Sequence, residues 1–267
     1  MRGQVAAAGP EPWSAARPGW PGRPGAAKHV VGIIGCGRMG TALAGALAAR
    51  GFTMALASRR QLTCTRLAGQ LAGATAGTVE WVAATSDIIA LAAPVGAICT
   101  QIGPRIRPFV DGRVVIDMTN PGFGADPAAV PPGTATSAAE RIASALATGS
   151  LVKALNCVAA GTLATQHRGR PAMTVPIAGD DAGAKEMVSS LLGQLGFEIV
   201  DAGPLRSSRW IEGLAELLAC LSRHDNESGD VGFRLVRFPR AHSPDVDTRP
   251  GLAAVKAIPL ASRNHIS

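Results

Sequence analysis

The 267-residue chain contains no tyrosine, and aromatic side chains make up only 4% of it. A mechanism that depends on a tyrosine acid is excluded, the Tyr-x-x-x-Lys short-chain dehydrogenases among them. Charged residues are also few, at 17% against 47% hydrophobic, a balance that predicts a soluble globular chain of one or two domains with a sizeable core. No two of the five histidines and five cysteines stand at C-x-x-C or H-x-x-x-H spacing, which argues against structural zinc and c-type haem, so no metal is expected. The odd, scattered cysteines argue against a disulfide framework and for a reducing compartment.

Long apolar runs are missing as well. The longest, Ile88–Ile98, is interrupted by Pro94 and is too short to span a bilayer. No apolar signal core precedes it, so the expected location is cytoplasmic, with no membrane partner. The formal charge is +7, but residues 29–221 carry only +2 of it. Without a basic stripe interleaved with aromatics, no nucleic-acid partner is expected.

Residues 1–27 hold five prolines and five glycines and read as a disordered extension, because they lack the apolar mass to offset ordering entropy. From Lys28 short apolar runs alternate with Ala/Leu-rich stretches. Strands are predicted at 29–34, 52–58, 78–82, 87–92, 113–117, 151–155, 173–178 and 197–201. Helices are predicted at 39–50, 61–71, 95–106, 137–146, 182–195 and 207–221. This alternation implies an α/β fold with a doubly wound, mostly parallel sheet. The nucleotide-binding domain is drawn at 28–222 and an irregular tail at 223–267, loosest over 238–267.

The most informative stretch is Gly35-Cys36-Gly37-Arg38-Met39-Gly40, a G-x-G-x-x-G between an apolar strand and a helix. Gly35 allows the tight turn, Gly37 lets the backbone approach a pyrophosphate, and Gly40 lets helix and strand pack closely. The phosphates would lie at the helix N-terminus, where free N–H groups and the dipole favour anions. The second strand then indicates which dinucleotide binds. An NAD site places an acid about 20 residues past the motif. This chain has Ser58-Arg59-Arg60 there, groups that attract a 2′-phosphate and so predict NADP.

With these residues in view, the chain resembles the coenzyme F420-dependent NADP oxidoreductases. The similarity is carried by the glycine turn, the Ser58-Arg59-Arg60 strand end, PIAGDD at Pro176–Asp181, DAGPLRSSR at Asp201–Arg209 and SGDVGFRL at Ser228–Leu235. It implies a Rossmann-type domain with a small C-terminal helical part over the cleft, and hydride transfer between NADPH and F420. By this resemblance Cys36, Gly37, Arg38 and Met39 would line the pyrophosphate, and Ser58 and Arg59 the 2′-phosphate. Ala93, Pro94, Asn120 and Ala160 would lie along the ribose and nicotinamide. Asn156 would face the acceptor, at a position where family members with F420 activity carry histidine. Arg206 would also alter the acceptor pocket.

Other constellations admit blander readings. Lys153-x-x-Asn156 is similar to the catalytic Lys/Asn of β-hydroxyacid dehydrogenases, but here it closes a strand-like run, and a lysine near a strand end is the preferred reading. Asp180-Asp181 precede a predicted helix and read as caps. Ser207 and Ser208 read as helix caps or as substrate contacts. Ile211, Leu214, Leu217, Leu218 and Leu221 form one helical stripe, read as core or as the contact of a homodimer. Neither Cys36 nor Cys157 has a partner base. Hydride transfer between two rings needs apposition and exclusion of water but no obligatory acid. The expected partner is thus a small-molecule redox acceptor, F420 first. Another acceptor, such as a flavin or small imine, and a non-catalytic NADP-binding sensor are the alternatives.

Overall fold

In a computed structural model the described residues are 29–121, 136–165, 172–224 and 230–238. The reading of 1–27, and nearly all of the reading of 238–267, lies outside them. Eight strands form one sheet in the order β3-β2-β1-β4-β5-β6-β7-β8. They are β1 (Val30–Ile34), β2 (Thr53–Ala57), β3 (Ala74–Ala76), β4 (Ile88–Leu91), β5 (Val114–Asp117), β6 (Leu151–Lys153), β7 (Thr174–Gly179) and β8 (Glu198–Asp201). Neighbours run parallel except at the β6–β7 junction, where Val152 pairs with Gly179 and Lys153 with Ala178 in antiparallel register. The α/β, doubly wound, mostly parallel architecture is therefore present.

The helices are α1 (Arg38–Ala48), α2 (Gln61–Gln70), α3 (Val79–Thr85), α4 (Val95–Ala97), α5 (Gly103–Ile106), α6 (Ala138–Leu146), α7 (Ala160–Thr165), α8 (Ala182–Gln194) and α9 (Ser208–His224). Both faces of the sheet are covered, which is why β4 and β5 are buried at every position and apolar nearly throughout. Alternate β1 residues serve opposite cores. Ile33 packs in the same cluster as Leu43 and Leu47 of α1 and Val188 of α8. Ile34 packs in the cluster that holds Val82 of α3 and Ile142 of α6. Each such fully buried side chain contributes about 1.5–3 kcal/mol.

Two elements differ from the sequence reading. The expected strand at 78–82 is helix α3, and the strand lies earlier, at β3. The Thr78 hydroxyl accepts the Trp81 N–H and caps the helix, while Val79, Val82 and Ala83 are buried at helical spacing. Helix α7 has no counterpart in the prediction.

Of the two aspartates read as caps of the helix they precede, Asp181 caps α8 by accepting the Ala184 N–H at 3.0 Å, whereas Asp180 accepts the Leu205 N–H at 2.9 Å, outside that helix. The chain divides into two units, 1–235 and 236–267. Within the first, residues 230–235 carry no helix or strand yet return to β7: the Phe233 carbonyl accepts the Thr174 N–H at 2.9 Å, and the Thr174 hydroxyl accepts the Leu235 N–H at 3.0 Å. Among the described residues no helix is long and apolar enough to cross a membrane.

Candidate active site

Strand β1 lies between β2 and β4, the point where successive connections pass to opposite faces of the sheet. A crevice forms there beyond the carboxyl ends of the strands. The glycine turn occupies it. Gly35 has φ +113°, and a Cβ there would strike the Ala92 carbonyl at the end of β4; one on Gly40 would strike the Gly35 carbonyl. A Cβ on Gly37 would meet nothing within 4 Å. Gly37 is thus the glycine whose missing side chain leaves open space. It also starts α1, which has no side-chain cap and no acidic residue in its first turn. An open cradle and uncapped amides fit a pyrophosphate. The neighbouring helix α2 likewise begins without a side-chain cap or an acid. Arg59 and Arg60 are exposed in front of it, and the Ser58 hydroxyl donates to the Arg60 carbonyl at 2.8 Å.

Two concavities adjoin the turn. A groove of about 850 Å³ runs between α1 and α7 and includes Cys36, Gly37, Arg38 and Ala160. A pocket of about 440 Å³ is bounded by Arg38 and Met39, by Asn120 after β5, by Asn156 and Cys157 after β6, by Ala215, Leu218 and Ser222 of α9, and by Val231. Arg38 and Ala160 are common to both. Ala93 and Pro94 follow β4 and line neither concavity, with the Ala93 amide against Gly35. Arg206, Ser207 and Ser208 stand at the opposite end of α9 and do not line the pocket. Ser208 is fully buried.

The pocket wall is rigidly hydrogen-bonded. The Asn120 amide donates to the Asn156 carbonyl at 2.9 Å, and the Asn156 amide donates to Asn120 Oδ1 at 3.1 Å and to the Ile211 carbonyl at 3.2 Å. Leu155, next to Asn156, is fully buried and has φ 63°. A non-glycine residue in that region carries strain that its surroundings must hold.

Behind this wall lies a buried ionic cluster. Lys153 Nζ is 2.9 Å from Asp117 Oδ2, 2.6 Å from the Thr119 carbonyl and 3.2 Å from Glu212 Oε1. Lysine and aspartate are fully buried, and Glu212 is 5% exposed. Lys153 does not line the pocket; it ends β6, as the preferred sequence reading has it, but with two carboxylate partners that the reading lacked. A lysine in LVKAL, an aspartate closing VVID and a glutamate in WIEGL were the available signal, since charges so placed require partners. Removing one partner of a buried pair costs about 3–5 kcal/mol.

Of the helical stripe read from sequence, Ile211 and Leu218 are buried, whereas Leu217 and Leu221 are 55% and 47% exposed. Burial pushes the Cys157 thiol up to about 12, against the lowering effect of the Lys153 charge, so it is not a nucleophile at neutral pH. Among the described residues the pocket walls include no histidine, aspartate, glutamate or lysine.

Residues 30–121, which contain the glycine turn and the first five strands, match the family model described as NADP oxidoreductase, coenzyme F420-dependent. That region is similar to this family. Its nucleotide-binding crevice is that of an NAD(P)-dependent oxidoreductase.

Solved structures agree on the fold. A candidate F420-dependent NADP reductase from Arthrobacter sp. FB24 is 22% identical, with TM-score 0.69 over 78% of this chain and 100% of that one. A hypothetical protein from Sinorhizobium meliloti is 26% identical, with TM-score 0.57 over 67% and 87%. An imine reductase from Myxococcus stipitatus in complex with NAD+ is 19% identical, with TM-score 0.55 over 74% of this chain and 62% of its own.

Proposed function

We propose that the protein transfers hydride between NADPH and coenzyme F420. The observation that carries the reading is the pocket beside the glycine turn, whose walls among the described residues are amide, aliphatic, thioether, hydroxyl, guanidinium and protonated thiol, with no carboxylate, histidine or lysine. Such walls offer a surface for bringing two rings together and no side chain matched to proton donation at neutral pH. Hydride passing from the dihydronicotinamide to a deazaflavin suits it, because the accompanying proton can come from water.

In this reading Gly35 to Gly40 hold the pyrophosphate at the α1 N-terminus, and Ser58 with Arg59 takes the 2′-phosphate. Ala93, Pro94, Asn120 and Ala160 follow the ribose and nicotinamide, and Asn156 faces the acceptor. Arg206, Ser207 and Ser208 have no part in it. A second reading, reduction of a small imine, is supported by the fold likeness to the Myxococcus enzyme and by the same chemistry, since an iminium ion arrives already protonated.

The test is oxidation of NADPH by the purified protein with F420, FMN, a cyclic imine or no acceptor. Loss of deazaflavin absorbance with NADPH supports the first reading. Turnover with the imine or FMN alone replaces it. Tight NADPH binding without turnover on any acceptor favours a sensor.

A further inference from the structure

We infer that Lys153 is a positioning residue: its buried ammonium ties the Asn120–Asn156 wall of the pocket to α9 and so sets the nicotinamide end of the site. This rests on the proposed placement of the cofactor, with its nicotinamide beside Asn120.

The ammonium ties the ends of β5 and β6, which the sheet pairs with Lys153 beside Asp117, to α9. Through Asp117 Oδ2 and the Thr119 carbonyl it grips the end of β5 one residue before Asn120. Asp117 uses its other oxygen, Oδ1, to accept the Thr119 N–H at 2.8 Å, so both sides of this turn are fixed. Through Glu212 Oε1 at 3.2 Å the same ammonium holds α9, whose neighbouring Ile211 carbonyl accepts from Asn156. Lys153 itself is three residues before Asn156, across the strained Leu155.

The two carboxylates facing one ammonium are kept in place by backbone as well. Glu212 accepts the Ala138 and Ala139 N–H groups, at 3.1 and 3.2 Å, at the N-terminus of α6, where a negative charge is favoured. Without the ammonium, Asp117 and Glu212 would repel each other in a dry site, and the Thr119 carbonyl would lose its donor. The turn carrying Asn120 would then part from α9. The adenosine end of the cofactor site, at Ser58 and Arg59 on the far side of β1, shares none of these bonds.

The experiment compares NADP+ with adenosine 2′,5′-bisphosphate, which lacks the nicotinamide, by titration calorimetry on wild type, Lys153→Met, Glu212→Gln and Gly37→Val. In folded Lys153→Met, NADP+ affinity should fall roughly tenfold or more while bisphosphate affinity stays level. Glu212→Gln keeps an acceptor for Nζ and leaves a neutral Lys153–Asp117 pair, so it carries the test if Lys153→Met does not fold. It should show a smaller loss in the same direction. With F420 as acceptor the loss should appear in KM for F420 more than in kcat.

Lys153→Met or, failing that, Glu212→Gln that is folded and binds both ligands as wild type does would overturn the inference. So would a parallel loss of both ligands, which marks a purely structural role. Failure of the cofactor placement reads differently: Gly37→Val would then bind NADP+ normally. Failure of the acceptor reading shows as no turnover with F420 in wild type, and the calorimetric comparison still decides the role of Lys153.

Discussion

The Cys36 Sγ lies 3.7 Å from the Cys64 Sγ, so the second residue of the glycine turn packs on the first turn of α2. Burial, and then the neighbouring Cys64, push the Cys36 thiol up to about 12, and burial pushes Cys64 up too. Only the thiolate reacts with alkylating agents. Iodoacetamide at pH 8 should therefore label exposed Cys220 and half-buried Cys99 in the folded protein, and reach Cys36, Cys64 and Cys157 only after unfolding. Peptide mass mapping checks this; rapid labelling of Cys36 in the native state would contradict the packing.

The chain should prefer NADP to NAD, with Ser58 and Arg59 responsible. A 2′-phosphate carries nearly two negative charges, and each charge-assisted bond to it contributes about 1.5–3 kcal/mol. Both groups are at the surface and salt-screened, which leaves a preference of roughly a hundredfold. Arg59→Ala should weaken NADPH much more than NADH, and added salt should narrow the gap between the two. Ser58→Asp should go further by setting a carboxylate where the phosphate lies. Dissociation constants for both cofactors test this, and equal wild-type affinities would refute it.

Asp181 caps α8 and also accepts the Ser150 hydroxyl at 2.8 Å. Burial alone would raise its carboxyl, but the Ala184 and Gly183 N–H groups and the Ser150 hydroxyl outweigh it and hold the group below its ordinary value. A depressed carboxyl stabilises the fold above its unfolded pKa, and that contribution is lost as pH falls through the folded value. Asp181→Ala should cost about 1 kcal/mol at pH 7. The gap between wild type and variant in urea midpoints should stay level down to about pH 5 and shrink below about pH 4. A gap that widens on acidification would reverse the assignment.

The short helices show where local patterns stop being informative. TVEWV at 78–82 is β-branched and aromatic enough to read as a strand, but a five-residue window does not distinguish alternate burial from burial at i, i+3 and i+4. Val79, Val82 and Ala83 adopt the helical arrangement because α3 has the sheet beneath it. Helix α7, AGTLAT, is too short and too rich in small residues to show a period, and it forms where α1 offers a surface. On α9 the stripe was legible but its buried edge was not. Ile211, Ala215 and Leu218 face the core, and Leu217 and Leu221 turn outward.

What the sequence determined by itself was the chemistry that one contiguous stretch must contain. A tight turn, a close backbone approach and a helix start occupy six residues, so G-x-G-x-x-G between strand and helix was readable, as was the absence of an acid at Ser58-Arg59-Arg60. Tertiary structure alone assembled the pocket beside the turn. Asn120 and Asn156 meet across 36 positions, and Lys153 meets Glu212 from a different layer of the fold. The reason is physical: these partners are joined by strand order and by the cost of leaving a buried charge unpaired, and neither is written in local spacing.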